Sequence, residues 1–167
     1  MQARAKFLGH AIHQMLIPYP LALLTTAIIF DVVHLFTGNP LWSTIAYWMI
    51  AAGIIGGLIA AIFGFLDWLA IPSRTRAKGV GSRHGIGNVV MVVLFAASWI
   101  LRRPDPGAPT TVAFLLALAG GALSLYTGWL GGELVDRHGM AVDEGANLDA
   151  PSSMSGLPAT STATKGT

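Results

Sequence analysis

The chain has 167 residues, 53% of them hydrophobic and only 11% charged, which describes an integral membrane protein of one domain. Its apolar residues form continuous runs, and Ala51–Leu66 carries no charged or polar side chain on any face, which excludes a soluble bundle of buried helices. The formal net charge of +2 does not point to nucleic acid, because the basic residues cluster in short segments beside the apolar runs, the pattern of topology determinants.

Residues 1–16 read as a short basic, mildly amphipathic lead-in along the membrane interface. His10 and His13 share a face if this lead-in is helical, although that spacing alone is a weak signal. The first span runs over roughly Ile17–Phe36, with Pro18 and Pro20 tolerated in its first turn. It holds Asp31 and His34 and lacks a small-residue cleavage site, so it reads as a retained span and not a signal peptide. Asp31 and His34 lack evident partners elsewhere, and a local hydrogen-bond pair at the helix end is expected.

Thr37-Gly38-Asn39-Pro40 is a compact turn, which makes the next span, Leu41–Ala70, an antiparallel neighbour. In this span Gly53, Gly57 and Ala61 recur every fourth residue, and Gly56, Ala60 and Gly64 repeat the pattern on the adjacent stripe. Small residues at this spacing let helix backbones approach closely in lipid. Asp67 lies in the last turns, where the helix dipole disfavours negative charge, and no basic residue stands one turn back. Pro72 ends the span.

A loop with Arg74, Arg76, Lys78 and Arg83 follows, and Ser82 is the expected N-cap of a third span over Ile86–Leu101. The alternating Gly79, Gly81, Gly85 and Gly87 follow no strand, so they make a weak case for nucleotide binding. His84 opens this span, with Asn88 one turn deeper on the same face. Arg102-Arg103-Pro104-Asp105-Pro106-Gly107 reads as a loop. The fourth span, Thr111–Leu134, carries Gly120, Ser124, Gly128 and Gly132 as another small-residue row. Glu133 has a plain account as an ion pair with Arg137 one turn on.

The expected fold is all-α: an integral membrane four-helix up-down bundle over 17–138, preceded by the interfacial segment 1–16 and followed by a tail, 139–167. The tail is rich in Gly, Pro, Ser, Thr and Ala, and is expected to be disordered alone or ordered only against a partner. Basic residues gather beside the termini and between the second and third spans, with only Arg102 and Arg103 on the other side. The positive-inside rule then puts both termini in the cytoplasm of a bacterial inner membrane.

Antiparallel spans would carry His13, Asp67, His84 and Glu133 to one depth near the cytoplasmic end, and ionisable groups at membrane depth are functional candidates. Imidazole and carboxylate ligands from separate helices are how bundle cores bind metals. His13, Asp67, His84 and Glu133 are therefore the candidate metal ligands, with His10, His138 and Asn88 as supporting or cofactor-binding residues. The cofactor is left open between a transition metal ion and haem b. Two axial histidines, His13 and His84, would suit haem, with Arg74, Arg76 or Lys78 for its propionates. Two carboxylates beside them would suit Zn, Fe or Mn better. A structural polar network and a proton or solute path are the competing readings. The absence of cysteine removes thiolate ligands, iron–sulfur clusters, c-type haem and disulfides.

Gly9-His10-Ala11-Ile12-His13, Pro18-Tyr19-Pro20, Phe30-Asp31, Gly64-Phe65-Leu66-Asp67-Trp68, His84-Gly85-Ile86-Gly87-Asn88 and Trp129-Leu130-Gly131-Gly132-Glu133-Leu134 together resemble the bacterial family called domain of unknown function 2231, over about residues 7–143. The resemblance implies a small four-span membrane protein without an assigned activity. Some members are fused to Rieske-type [2Fe–2S] modules, which implies redox company. Ala11 and Gln14 replace prolines usual in the family's opening, and Glu133 stands where Rieske-linked members often have His; of the two, only His suits a haem axial role. Two functions are expected from these features: a metal- or haem-binding membrane protein with a redox-associated role, or a non-catalytic accessory subunit packed against a larger membrane complex.

Overall fold

The computed structural model describes residues 1–161 and is mostly helical. It opens with a small hairpin, β1 (Lys6–Phe7) antiparallel to β2 (His10–Ala11), turning through Leu8 and Gly9 with positive φ. Next come α1 (Ile12–Leu16) and α2 (Pro18–Thr37), which run on as one apolar segment over Ile12–Thr37. The remaining long helices are α3 (Pro40–Ala70), α4 (Arg76–Arg102) and α5 (Thr111–Gly132), and a π-helical turn, Glu133–Arg137, extends the last of them. Among the described residues four segments are thus long and apolar enough to cross a membrane, and they pack antiparallel as an up-down bundle. α2 packs chiefly on α3 and α4 chiefly on α5, with a lighter contact between α3 and α4. The bundle is therefore two hairpins side by side.

The turns follow from their residues. Gly38 ends α2 in the left-handed region (φ 64°), where glycine has no side-chain penalty, and its N–H closes on His34 O at 2.8 Å. The Asn39 side chain then caps α3 by accepting from Leu41 N at 3.0 Å, with Pro40 in the first turn.

The third span begins ten residues earlier than expected, at Arg76 against Ile86. Thr75 is the N-cap, its hydroxyl accepting from Lys78 N at 3.1 Å. Ser82 instead lies inside α4, donating to Lys78 O and accepting from Trp68 Nε1 at 3.2 Å. Glycines are poor helix formers, but here Gly81 is a notch for an aromatic ring: a Cβ there would stand 3.0 Å from Trp68 Cδ1. Packing thus overrides propensity in this segment.

The core is built from Leu24, Ala27, Ala46, Ile50, Met91, Phe95 and Ala117. The small-residue rows are its seats. Gly53 receives Leu24 and Gly120 receives Phe95, where a Cβ would clash, while Gly56 and Gly57 lie at ordinary contact distance from Pro20. Gly128 and Gly132, by contrast, have nothing within 4 Å of the space a Cβ would fill, so the row in α5 is packed only along its first half.

Asp31 and Arg102 correct two expectations. His34 turns its Nδ1 to Asn39 O at 2.9 Å, and Asp31 is bound instead by Arg102, which belongs to α4 and not to the following loop. The pair is bidentate and buried, and Arg102 Nε also donates to Ser98 Oγ at 3.1 Å. A charge at the buried end of a helix costs several kcal/mol alone, and a partner on a facing helix removes that cost.

Past α5, the chain lies against the N-terminal segment. Ala141 N donates to Met1 O at 2.9 Å, Lys6 Nζ meets Asp143 Oδ1 at 2.7 Å, and Ser153 Oγ donates to Leu8 O at 3.0 Å. The last part of the tail, 162–167, lies outside the described residues.

Candidate functional site

At the end of the bundle that carries the N-terminal segment and the tail, two imidazoles, His13 and His84, face each other. His13 lies on the short α1, and its Nδ1 is 2.9 Å from Ala60 O of α3. Its ring rests on Gly64, where a Cβ would stand 2.8 Å from His13 Cε1. His84 lies two turns into α4, with Nδ1 2.8 Å from Thr127 O of α5. Its ring rests on Gly131, where a Cβ would come within 3.2 Å of His84 Cε1. Each ring therefore sits on a glycine one helical turn past the carbonyl it bonds. Any larger residue there would push the ring away.

These contacts set the tautomer. A carbonyl oxygen only accepts, so Nδ1 must carry the proton in both rings, and each neutral ring presents Nε2 as a lone pair. His84 Nε2 receives one N–H of the Asn88 amide at 3.1 Å, while the amide's other N–H reaches His84 O at 2.9 Å. The rings of His13 and His84 have centroids 6.4 Å apart and perpendicular planes. Both side chains are half-buried. Two such nitrogens on facing hairpins suit borderline metals such as Zn, Cu, Ni or Fe.

The other candidates hold different partners. The Asp67 carboxylate faces the N-terminal segment, where Oδ1 accepts from Arg4 N at 2.7 Å and Ala5 N at 3.2 Å. Glu133 stands 4.0 Å from Arg137, whose side chain is largely exposed, a surface ion pair of small energetic weight. His10 is exposed, with Nε2 3.4 Å from Ser153 Oγ. His138 closes the π turn, its N–H reaching Glu133 O at 3.2 Å, and its Nε2 is buried without a hydrogen-bond partner among the described residues. Among the described residues no group of three or more His, Asp or Glu side chains converges as a metal-holding set. The structure brings His13, His84 and Asn88 together and turns Asp67 and Glu133 to other work.

Two features lay outside the sequence reading. The partners of the imidazoles are backbone carbonyls, which no residue type announces. One of the two glycine seats had a signal, since Gly64 belongs to a small-residue row, but that row reads as a helix–helix seam, and Gly131 belongs to none.

A family model described as "Predicted membrane protein (DUF2231)" matches residues 9–144, a stretch that contains the hairpins, both imidazoles and the π turn. No curated protein and no solved structure matches the chain.

Proposed function

The chain belongs to the DUF2231 family of membrane proteins, and from that premise we propose that it binds a transition metal ion or haem b between His13 and His84, in a redox-associated role. One observation carries this reading. Two imidazoles sharing one ion through metal–nitrogen bonds of about 2.0–2.1 Å hold their ring centres roughly 5–6.5 Å apart, and these two stand at 6.4 Å. Their Nδ1–H groups are already bonded to carbonyls, the arrangement that fixes and activates ligating histidines. Asp67 and Glu133 enter this proposal as further ligands only if they leave Arg4, Ala5 and Arg137. His10 and His138 are then supporting groups, and Asn88 joins them only once its N–H leaves His84 Nε2. Protein purified without chelators, followed by metal analysis and a visible spectrum, is the test. A Soret band selects haem, and stoichiometric metal without one selects the ion. Colourless, metal-free protein overturns the reading.

The proposed setting is a bacterial inner membrane with both termini cytoplasmic. With Arg102 buried in an ion pair, Arg103 is, among the described residues, the one Lys or Arg left outside an ion pair at the end opposite Arg4, Lys6, Arg74, Arg76, Lys78, Arg83 and Arg137, which favours this orientation. Cysteine labelling at Gly107 and Ser155 tests it. Labelling of Ser155 from outside, with Gly107 protected, defeats it.

A second reading, an accessory subunit within a larger membrane complex, is favoured by the open row at Gly128 and Gly132. Under it, His84 is a satisfied lock, donating to Thr127 O and accepting from Asn88. Recovery of the protein as a stable lone monomer counts against that reading.

A further inference from the structure

The corner between α3 and α4 gathers three guanidiniums with nothing to bind. Arg74, Arg76 and Arg83 are exposed, and none takes part in an ion pair or a side-chain hydrogen bond among the described residues. Arg76 and Arg83 are seven residues apart, hence on one face of α4. Arg83 folds back along the helix, its Nη2 4.0 Å from where a Cβ on Gly79 would sit, so its charge lies one turn from Arg76.

The cations do not suit the helix end they occupy. The start of α4 bears the positive end of the helix dipole and has no acidic residue in its first turn. Thr75 takes Lys78 N and Gly79 N, leaving Arg76 N and Ala77 N without partners among the described residues. Asp67 is the only carboxylate between Asp31 and Asp105, and it is committed to Arg4 N and Ala5 N. Lys78 is also committed, with Nζ on Trp68 O at 2.7 Å and 3.6 Å above the Trp68 ring. Trp68 is the kind of residue that marks the headgroup level of a membrane. The uncompensated positive charge thus stands at the end of a candidate span, the level at which lipid phosphates are expected.

We propose that Arg74, Arg76 and Arg83, with the free N–H groups at the start of α4, bind the phosphodiester of an anionic phospholipid headgroup. Guanidiniums match phosphate oxygens in pairs, and a helix N-terminus adds N–H donors aimed the same way. The site shares no residue with the imidazoles themselves, but a haem whose propionates took Arg74 or Arg76 would compete with the lipid, so the test uses protein whose visible spectrum shows no Soret band.

The test uses the full-length protein in nanodiscs of phosphatidylcholine doped with phosphatidylglycerol. Mild detergent extraction followed by mass analysis then counts the lipids that stay bound. Wild type is expected to retain phosphatidylglycerol in preference to phosphatidylcholine. Arg74→Gln, Arg76→Gln and Arg83→Gln combined should weaken that preference by roughly fivefold per cation, on the order of a hundredfold for three. Arg103→Gln, at the other end, should leave it unchanged. Equal retention of both lipids by wild type overturns the proposal without any variant. Persistence of the preference in the triple variant, or an equal loss in Arg103→Gln, also overturns it. Displacement of the lipid by millimolar inorganic phosphate would make the site one for a soluble anion and so reject the lipid.

Discussion

Arg102 clasps Asp31 with both ends of its guanidinium, Nη1 to Oδ1 and Nη2 to Oδ2, each at 2.6 Å and with neither side chain reaching solvent. The contact joins α2 to α4, and Ser98 extends it to α5 by donating to Ala113 O at 2.6 Å. It is the polar tie between the two hairpins at the end away from the imidazoles. Removing one partner leaves a charge buried alone, so Asp31→Leu is expected to destabilise the bundle by about 3–5 kcal/mol. Adding Arg102→Met should recover most of that loss, because the pair as a whole is close to neutral in its balance of desolvation and attraction. Thermal unfolding in detergent reads both variants. A double variant as unstable as the single one would contradict this account.

Asp67 anchors the N-terminal segment through a single oxygen, since Arg4 N and Ala5 N both reach Oδ1. Asp67→Asn keeps an oxygen acceptor and should hold the segment in place. Asp67→Ala should release it, at about 1.5–3 kcal/mol for hydrogen bonds to a charged group. Hydrogen exchange at the Arg4 and Ala5 amides is the measurement. The expected order of protection is wild type, then Asn, then Ala, with the large step at Ala.

Gly64 supplies the seat of His13, and the space for a side chain there is filled by the ring. Gly64→Val is expected to displace the imidazole and to cost about 1–3 kcal/mol through overpacking. Gly128→Ala, where nothing lies within 4 Å, should be nearly silent in the isolated protein. Comparing their melting temperatures, with the His13 ring resonances as a local probe, checks both. Equal effects at the two glycines would mean that the seat plays no part.

Asn88 separates the two functional readings. If the Nε2 lone pair of His84 serves a metal, Asn88→Ala removes a competing donor and should leave cofactor content intact, while His84→Ala abolishes it. If the network is only a lock between helices, Asn88→Ala and His84→Ala should each cost roughly 0.6 kcal/mol per lost contact and change nothing else. Parallel metal analysis and melting curves distinguish them.

The helices were readable because lipid leaves little choice: long apolar runs, Pro18, Pro40 and Pro72 near their ends, and Gly38 at the first turn. Where glycine obscures the pattern, between Gly79 and Gly87, the apolar run begins ten residues after the helix does, and the helix start is supported by Trp68 filling the Gly81 notch. The pairing of Asp31 with Arg102 was hidden for a similar reason. The two are 71 residues apart, and Arg102 beside Arg103 and Pro104 has the composition of a loop. His13 and His84 could be placed at one depth from topology, but a shared depth does not determine where a carboxylate turns. Asp67 found two backbone N–H groups, and the N-terminal segment that offers them has no pattern of its own.

The imidazole arrangement occurs twice, once in each hairpin. In both, a histidine near the start of the first helix bonds a carbonyl of the second and lies on a glycine four residues beyond that carbonyl, at Ala60 and Gly64 and again at Thr127 and Gly131. Each half is thus complete in its own ring and seat, and the two rings meet edge-on across the line where the hairpins dock. A guest held by both rings would see two nearly equivalent walls and would be lost when either half moved away. Its binding and the closure of the halves would then be reciprocal: the guest strengthens the docking, and a loosened docking weakens the guest by the same factor.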